Sequence, residues 1–188
     1  MSEPRILTID HGRCEDILVG WVRVRLNMGI EYYSKNKGRE AIRIENLPSL
    51  FGSRWLSSEP ELHRKYPDLE YSVKERPMMP KLKIFPIMDT ERDLAHSDRS
   101  YMTGNMFAKS CFSDRVVPIY NIPDLDTIFR EAGIGKVTSD KPSSYSDILD
   151  GYDVIEIYEM VKGREDTNLS EFLKYCLKTR PEYQGREF

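Results

Sequence analysis

Apolar runs that stop at or just before an acid, separated by segments of helical spacing, constrain this fold more than any other feature. Arg5–Asp10 (RILTID) alternates, ends in an acid and reads as a buried strand, followed by Gly12 in a tight turn. Lys81–Met88 (KLKIFPIM) is the clearest later strand and runs into Asp89, and Val116–Tyr120 (VVPIY) is another. Both contain a proline, which predicts a sheet edge or a bulge at Pro86. Ala41–Glu45 (AIRIE) reads as a short second strand. Between the first two strands, Ile17, Trp21, Val24 and Met28 recur at helical spacing over Glu15–Tyr33, with Leu18 and Val22 beside them. Glu15 and Asp16 suit the first turn of that helix, and Gly29 is a weak point in it. Asp124–Ala132 reads as a helix opened by an acid and closed by Gly133. Strand and helix in alternation predict an α/β fold, with a mostly parallel sheet flanked by helices.

Residues 1–134 are expected to form that domain, with an irregular insertion over 51–80. Prolines 60, 67, 77 and 80 cut the insertion into short pieces, leaving one or two helical turns near Glu61–Lys65. Asn46 is placed to cap a turn containing Pro48. Leu94–Ser100 reads as a polar loop and Thr103–Ser110 as a short helix. Residues 135–144 read as a linker. A helical C-terminal extension over 145–188 follows, with helices at Tyr145–Val161 and Leu169–Lys178 and a frayed end from Arg180.

Lys and Arg total 28 against 31 Asp and Glu, a net charge of −3. That balance counts against a protein whose whole surface grips nucleic acid. Arg23, Arg25, Arg39 and Arg43 read as a solvated, salt-bridged surface. No apolar run is long enough for a membrane span, so no membrane partner is expected. Cys14, Cys111 and Cys176 form no paired motif and read as small buried hydrophobes, and no secretory leader is recognisable; a reducing cytoplasm is the expected compartment. Phosphate-loop, dinucleotide and nucleophile-elbow signatures are all absent, which disfavours nucleotide motors, dinucleotide oxidoreductases and typical serine hydrolases.

The chemistry sits with the acids. Parallel strands put their carboxyl ends along one edge, where open sheets bind ligands. Asp10, His11 and Glu15 follow the first strand, and Asp89, Glu91 and Asp93 the third. If these strands are neighbours, Asp10, Asp89 and Glu91 are candidate Mg²⁺ ligands, because a hard cation takes one or two carboxylates plus water and substrate phosphate. Glu15 and His11 are the candidate proton-transfer residues. Each acid also has a plainer reading, as a cap on the turn that follows, and Arg92 as an internal partner for the cluster.

The stretches Ile6-Leu-Thr-Ile-Asp-His-Gly-Arg-Cys-Glu15 and Ile84-Phe-Pro-Ile-Met-Asp-Thr-Glu91 resemble the Toprim domain, in element order from about Arg5 to Ala132. Toprim domains are Rossmann-like and occur in topoisomerases, primases, OLD-type nucleases and small proteins of bacterial phage and mobile-element loci. The resemblance implies Mg²⁺-dependent, nuclease-like phosphotransfer on nucleic acid. His11 stands where that family has its acid/base glutamate. Asp10 or Glu15 then substitutes, or His11 moves the proton, or the site is inactive. Val116–Ile134 also resembles part of an uncharacterised bacterial protein family, to which no chemistry attaches.

Two further readings stand beside this one. A non-catalytic interaction protein of the same fold would hold a protein partner through Phe51, Trp55, Tyr66, Tyr152 or Tyr158. A receiver-like phosphoacceptor would use Asp10 or Asp89 with a lysine such as Lys109 or Lys136.

Overall fold

A computed structural model of the chain describes residues 6–69, 82–90, 94–135, 142–183 and 185–188. The protein is α/β. Four strands, β1 (Ile6–Asp10), β2 (Glu31–Ser34), β3 (Lys83–Asp89) and β4 (Ile119–Asn121), form an all-parallel sheet in the order β2-β1-β3-β4. The chain leaves β1 toward β2 on one side and returns to β3 on the other. The carboxyl ends of β1 and β3 therefore form the topological switch point.

Strand periodicity sorts the core into two layers. Ile6, Phe85, Ile87 and Ile119 face α1 (Arg13–Arg25) and α5 (Leu125–Glu131). They also face α6 (Pro142–Asp150), α7 (Val154–Val161) and α8 (Leu169–Lys178). Leu7, Ile9, Ile84 and Met88 face the other way. There they meet α2 (Leu47–Phe51), α3 (Glu59–Lys65), α4 (His96–Met102) and the turns around Phe107 and Phe112.

Several local expectations change. The second strand is Glu31–Ser34, inside the stretch expected to be helical, because the helix stops at Arg25 and Asn27 turns left-handed (φ 44°). Ala41–Glu45 is no strand: Ile42 and Ile44 are buried in a segment that crosses the sheet edge, with the Ile42 amide donating to the His11 carbonyl (2.8 Å). Leu94–Ser100 is largely α4, and Thr103–Ser110 holds only a 3-10 turn at Asn105–Phe107. The single helix expected over Tyr145–Val161 is two, split at Gly151–Asp153, with Asp153 capping α7. The C-terminal end is docked, since Phe188 packs edge-on against Tyr158 at 5.6 Å.

Pro86 lies in a central strand, not at an edge. The β3–β4 ladder is interrupted beside it: Ile84 bridges Val116, and regular pairing resumes only at Ile87 with Ile119. Tyr101 fills the interruption. Its buried hydroxyl lies 2.7 Å from both the Pro86 and Ile119 carbonyls, so one proton is shared between two backbone acceptors. Among the cysteines only Cys176 is buried; Cys111 is exposed and Cys14 half-buried.

Candidate functional site

Asp10, Asp89 and Asn121 end three adjacent strands and, by the two-residue period, share the face covered by α1. Glu15 reaches the same place from the first turn of α1, where its Oε2 accepts from the Gly12 amide (2.9 Å). The acids sense one another: Asp89 and Asp10 both raise the Glu15 carboxyl, after burial, which is the larger cause. The structure thus brings Asp10, Glu15 and Asp89 together at the switch point.

Their environments differ. Asp10 is 0% exposed and Glu15 2%. Neither Asp10 oxygen makes a well-formed hydrogen bond, and Glu15 Oε1 has no partner among the described residues. Burial pushes Asp10 well above the usual carboxylate range; Thr8 lowers it and Asp16 raises it further. Asp89 is half-buried and held from two sides. Its Oδ1 accepts from Asn121 Nδ2 (3.2 Å) and from the Leu125 amide (3.1 Å) at the start of α5. Burial pushes its carboxyl up to about 7, against the lowering effect of those bonds, and Asp124 and Asp126 add to the rise.

A polar relay fixes this arrangement from behind. The Leu169 amide donates to Thr167 Oγ1 (3.0 Å), which donates to Asn121 Oδ1 (2.9 Å), so the start of α8 orients the amide that holds Asp89. Beneath the acids, the Cys14 thiol lies against Asp126 and is pushed up by burial and by that charge. Such a thiol stays protonated and is no nucleophile. Tyr145, stacked on Phe129 at 5.6 Å, buries a hydroxyl with no partner among the described residues.

Above the acids opens a cleft of about 510 Å³, lined by His11, Asp89 and Thr90, by Arg43 and Glu45, and by Asp98 and Asp124, among others. Asp98 and Asp124 are partly committed, capping α4 and α5. His11 is held at this edge by its backbone, its amide donating to the Ile87 carbonyl (2.9 Å). Burial lowers its pKa, so the imidazole is neutral near pH 7.

Of the residues the sequence singled out, Asp89 and His11 meet in the cleft, and Asp10 and Glu15 lie behind it. Glu91, Arg92 and Asp93 lie outside the described residues. Lys109 is exposed and does not line the cleft; Lys136 is outside the described residues. Phe51 and Tyr158 are core, whereas Trp55, Tyr66 and Tyr152 are half-buried. Sequence reasoning missed Asn121, Thr167, Tyr145, Asp98 and the cleft position of Arg43. The one signal available was Asn121 following the VVPIY strand, at the position matching Asp10 and Asp89.

One or two carboxylates suffice for a hard cation that keeps its water, and the orphaned oxygens of Asp10 and Glu15 suit cationic company. No set of three or more His, Cys, Asp or Glu side chains among the described residues is arranged to hold a metal alone. A cation at Asp89 would therefore need water and ligand oxygens to complete its shell. No helix among the described residues is long and apolar enough to cross a membrane. Comparison with protein families, curated proteins and solved structures finds no match for this chain.

Proposed function

We propose that the chain is a Mg²⁺-dependent phosphotransfer protein, nuclease-like and Toprim-related, whose centre is Asp89 with Glu15 and Asp10 behind it. The observation that carries this reading is the meeting of three carboxylic acids at the β1/β3 switch point, beside a cleft that also holds a cation, Arg43, and a neutral imidazole, His11. Mg²⁺, if bound, would supply charge against the developing negative charge and make a water more acidic. Asp89 would hold the ion, its carboxylate being aimed by Asn121 and the Leu125 amide. Arg43 binds a phosphate oxygen of the substrate. His11 takes up the water's proton on its imidazole. A cation at Asp89 would draw the protons off Glu15 and Asp10, whose buried carboxyls otherwise hold them.

Calorimetric titration of the protein with Mg²⁺ and Mn²⁺, beside Asp89→Asn, tests the reading. Saturable binding that disappears in the variant is expected. No binding in either protein, even with a phosphodiester analogue present, rejects it.

A second reading has its own observation: the near-complete burial of Asp10 and Glu15 suits uncharged acids that never meet a ligand. The protein is then a non-catalytic interaction or regulatory protein. Normal folding of Glu15→Gln, together with no metal response in the wild type, would favour it.

A further inference from the structure

Of the arginines expected to lie in salt bridges, Arg25 pairs with Asp150 (3.7 Å), but those of the segment after β2 do not. Among the described residues, Lys37, Arg39 and Arg43 have no carboxylate within ion-pair distance, and Lys35 pairs only with Glu40 (2.7 Å). Residues 35–43 (KNKGREAIR) hold four basic residues against one acid, in a chain of net charge −3. All four bases are exposed. The segment is pinned to the carboxyl edge of the sheet. Gly38 (φ 73°) sits so close to α1 that an added Cβ would come within 3.1 Å of Arg13 Cα. Exposed Arg13 donates to the Lys37 carbonyl (3.4 Å), and Ile42 bonds to His11. Arg43 then enters the cleft beside Asp89. The result is a cationic rim leading to the acids.

At the outer end of the rim stands an aromatic group. Tyr33, the penultimate residue of β2, lies 5.0 Å from Trp55, which meets Tyr66 at 5.9 Å. The Lys65 ammonium covers the rings, 3.5 Å from Trp55 and 4.2 Å from Tyr33. Lys65 ends α3, is exposed, and has no ion-pair partner among the described residues. Two strand spacings, ~10 Å, separate the end of β2 from the end of β3.

We infer that this rim and ring cluster bind a single-stranded nucleic acid, with phosphates on Arg13, Lys37, Arg39 and Arg43 and a base stacked on Trp55 in place of the Lys65 ammonium. Rings next to a cationic track suit unpaired bases, whereas a duplex keeps its bases stacked inside. The displaced ammonium becomes one more phosphate contact. The inference deepens the proposed phosphotransfer reading by naming its substrate form and the surface that holds it.

The test is fluorescence anisotropy with labelled oligothymidylate in EDTA, so that metal plays no part. Wild type is expected to bind at about 50 mM salt, with affinity falling linearly in log salt. The exposed triple variant Lys37→Gln/Arg39→Gln/Arg43→Gln, its fold checked by circular dichroism, should lose tenfold or more and reduce the salt slope by about 2. Trp55→Leu should lose several-fold with the slope unchanged. Absence of binding by wild type, an unchanged triple variant, or equal affinity for a duplex of the same length overturns the inference. Strand binding without any Mg²⁺ response would leave the rim standing and reject the metal centre. A Mg²⁺ response without strand binding would do the reverse.

Discussion

Asp10, Glu15 and Asp89 are acids in places where a negative charge is costly, and all three hold their protons more tightly than in the unfolded chain. The sign of the consequence follows. For Asp89, raised to about 7 by burial, folding is favoured below the ordinary carboxylate range, and that contribution is lost as pH rises toward 7. The metal-free protein should therefore melt at progressively lower temperature between about pH 4 and pH 7. Asp89→Asn should flatten the profile, as thermal unfolding across that range will show. A wild-type profile that rises through the window would contradict the buried-acid arrangement. Thr167→Val, which cuts the relay to Asn121, is expected to weaken Mg²⁺ binding by several-fold while leaving Asp89 present, a difference that calorimetry resolves.

Among the elements, β3 depends on a neighbour for what its proline withholds. Pro86 has no amide to give, and the Tyr101 hydroxyl serves the Pro86 and Ile119 carbonyls across the interrupted ladder. Tyr101→Phe keeps the ring but leaves both buried carbonyls without that donor, and should cost about 1–3 kcal/mol in denaturant unfolding. No loss would show that the carbonyls find other partners. The loop after β2 turns through three left-handed residues, Asn36, Lys37 and Gly38. Gly38→Ala adds a methyl in that conformation against the backbone of α1, and should cost about 1–2 kcal/mol. Because the same loop carries the rim, strand affinity should fall with it.

For the whole molecule, a ligand bound only by the folded state raises stability by mass action. At a hundred times its dissociation constant, Mg²⁺ should add about 2.7 kcal/mol. For a chain of this length each kcal/mol moves the melting temperature by about 2–4 °C. A Mg²⁺-dependent rise in wild type that vanishes in Asp89→Asn is the expected result of a thermal-shift series. An equal rise in both would place the ion elsewhere.

The sequence by itself determined the class of fold and the seats of the first and third strands. RILTID and KLKIFPIM are short, mostly apolar runs that suit a strand buried on both faces, and the acids closing them had to come to one edge once the strands ran parallel. Asp124, Gly133 and the Leu169–Lys178 stripe marked their helices by local chemistry, through a side-chain cap, a left-handed stop and a single apolar face. Tertiary structure decided the rest. Glu31–Ser34 became a strand and Ala41–Glu45 did not, because pairing beside β1 depends on where the chain returns, and short apolar runs do not encode that. His96–Met102 became a helix although it lacks an apolar stripe, since one residue, Tyr101, anchors it to two strands. Whether Asp10, Glu15 and Asp89 meet, and whether Arg43 faces them, depends on strand order and on a loop folded over the sheet. These are contacts between residues far apart in the chain, which local periodicity cannot specify.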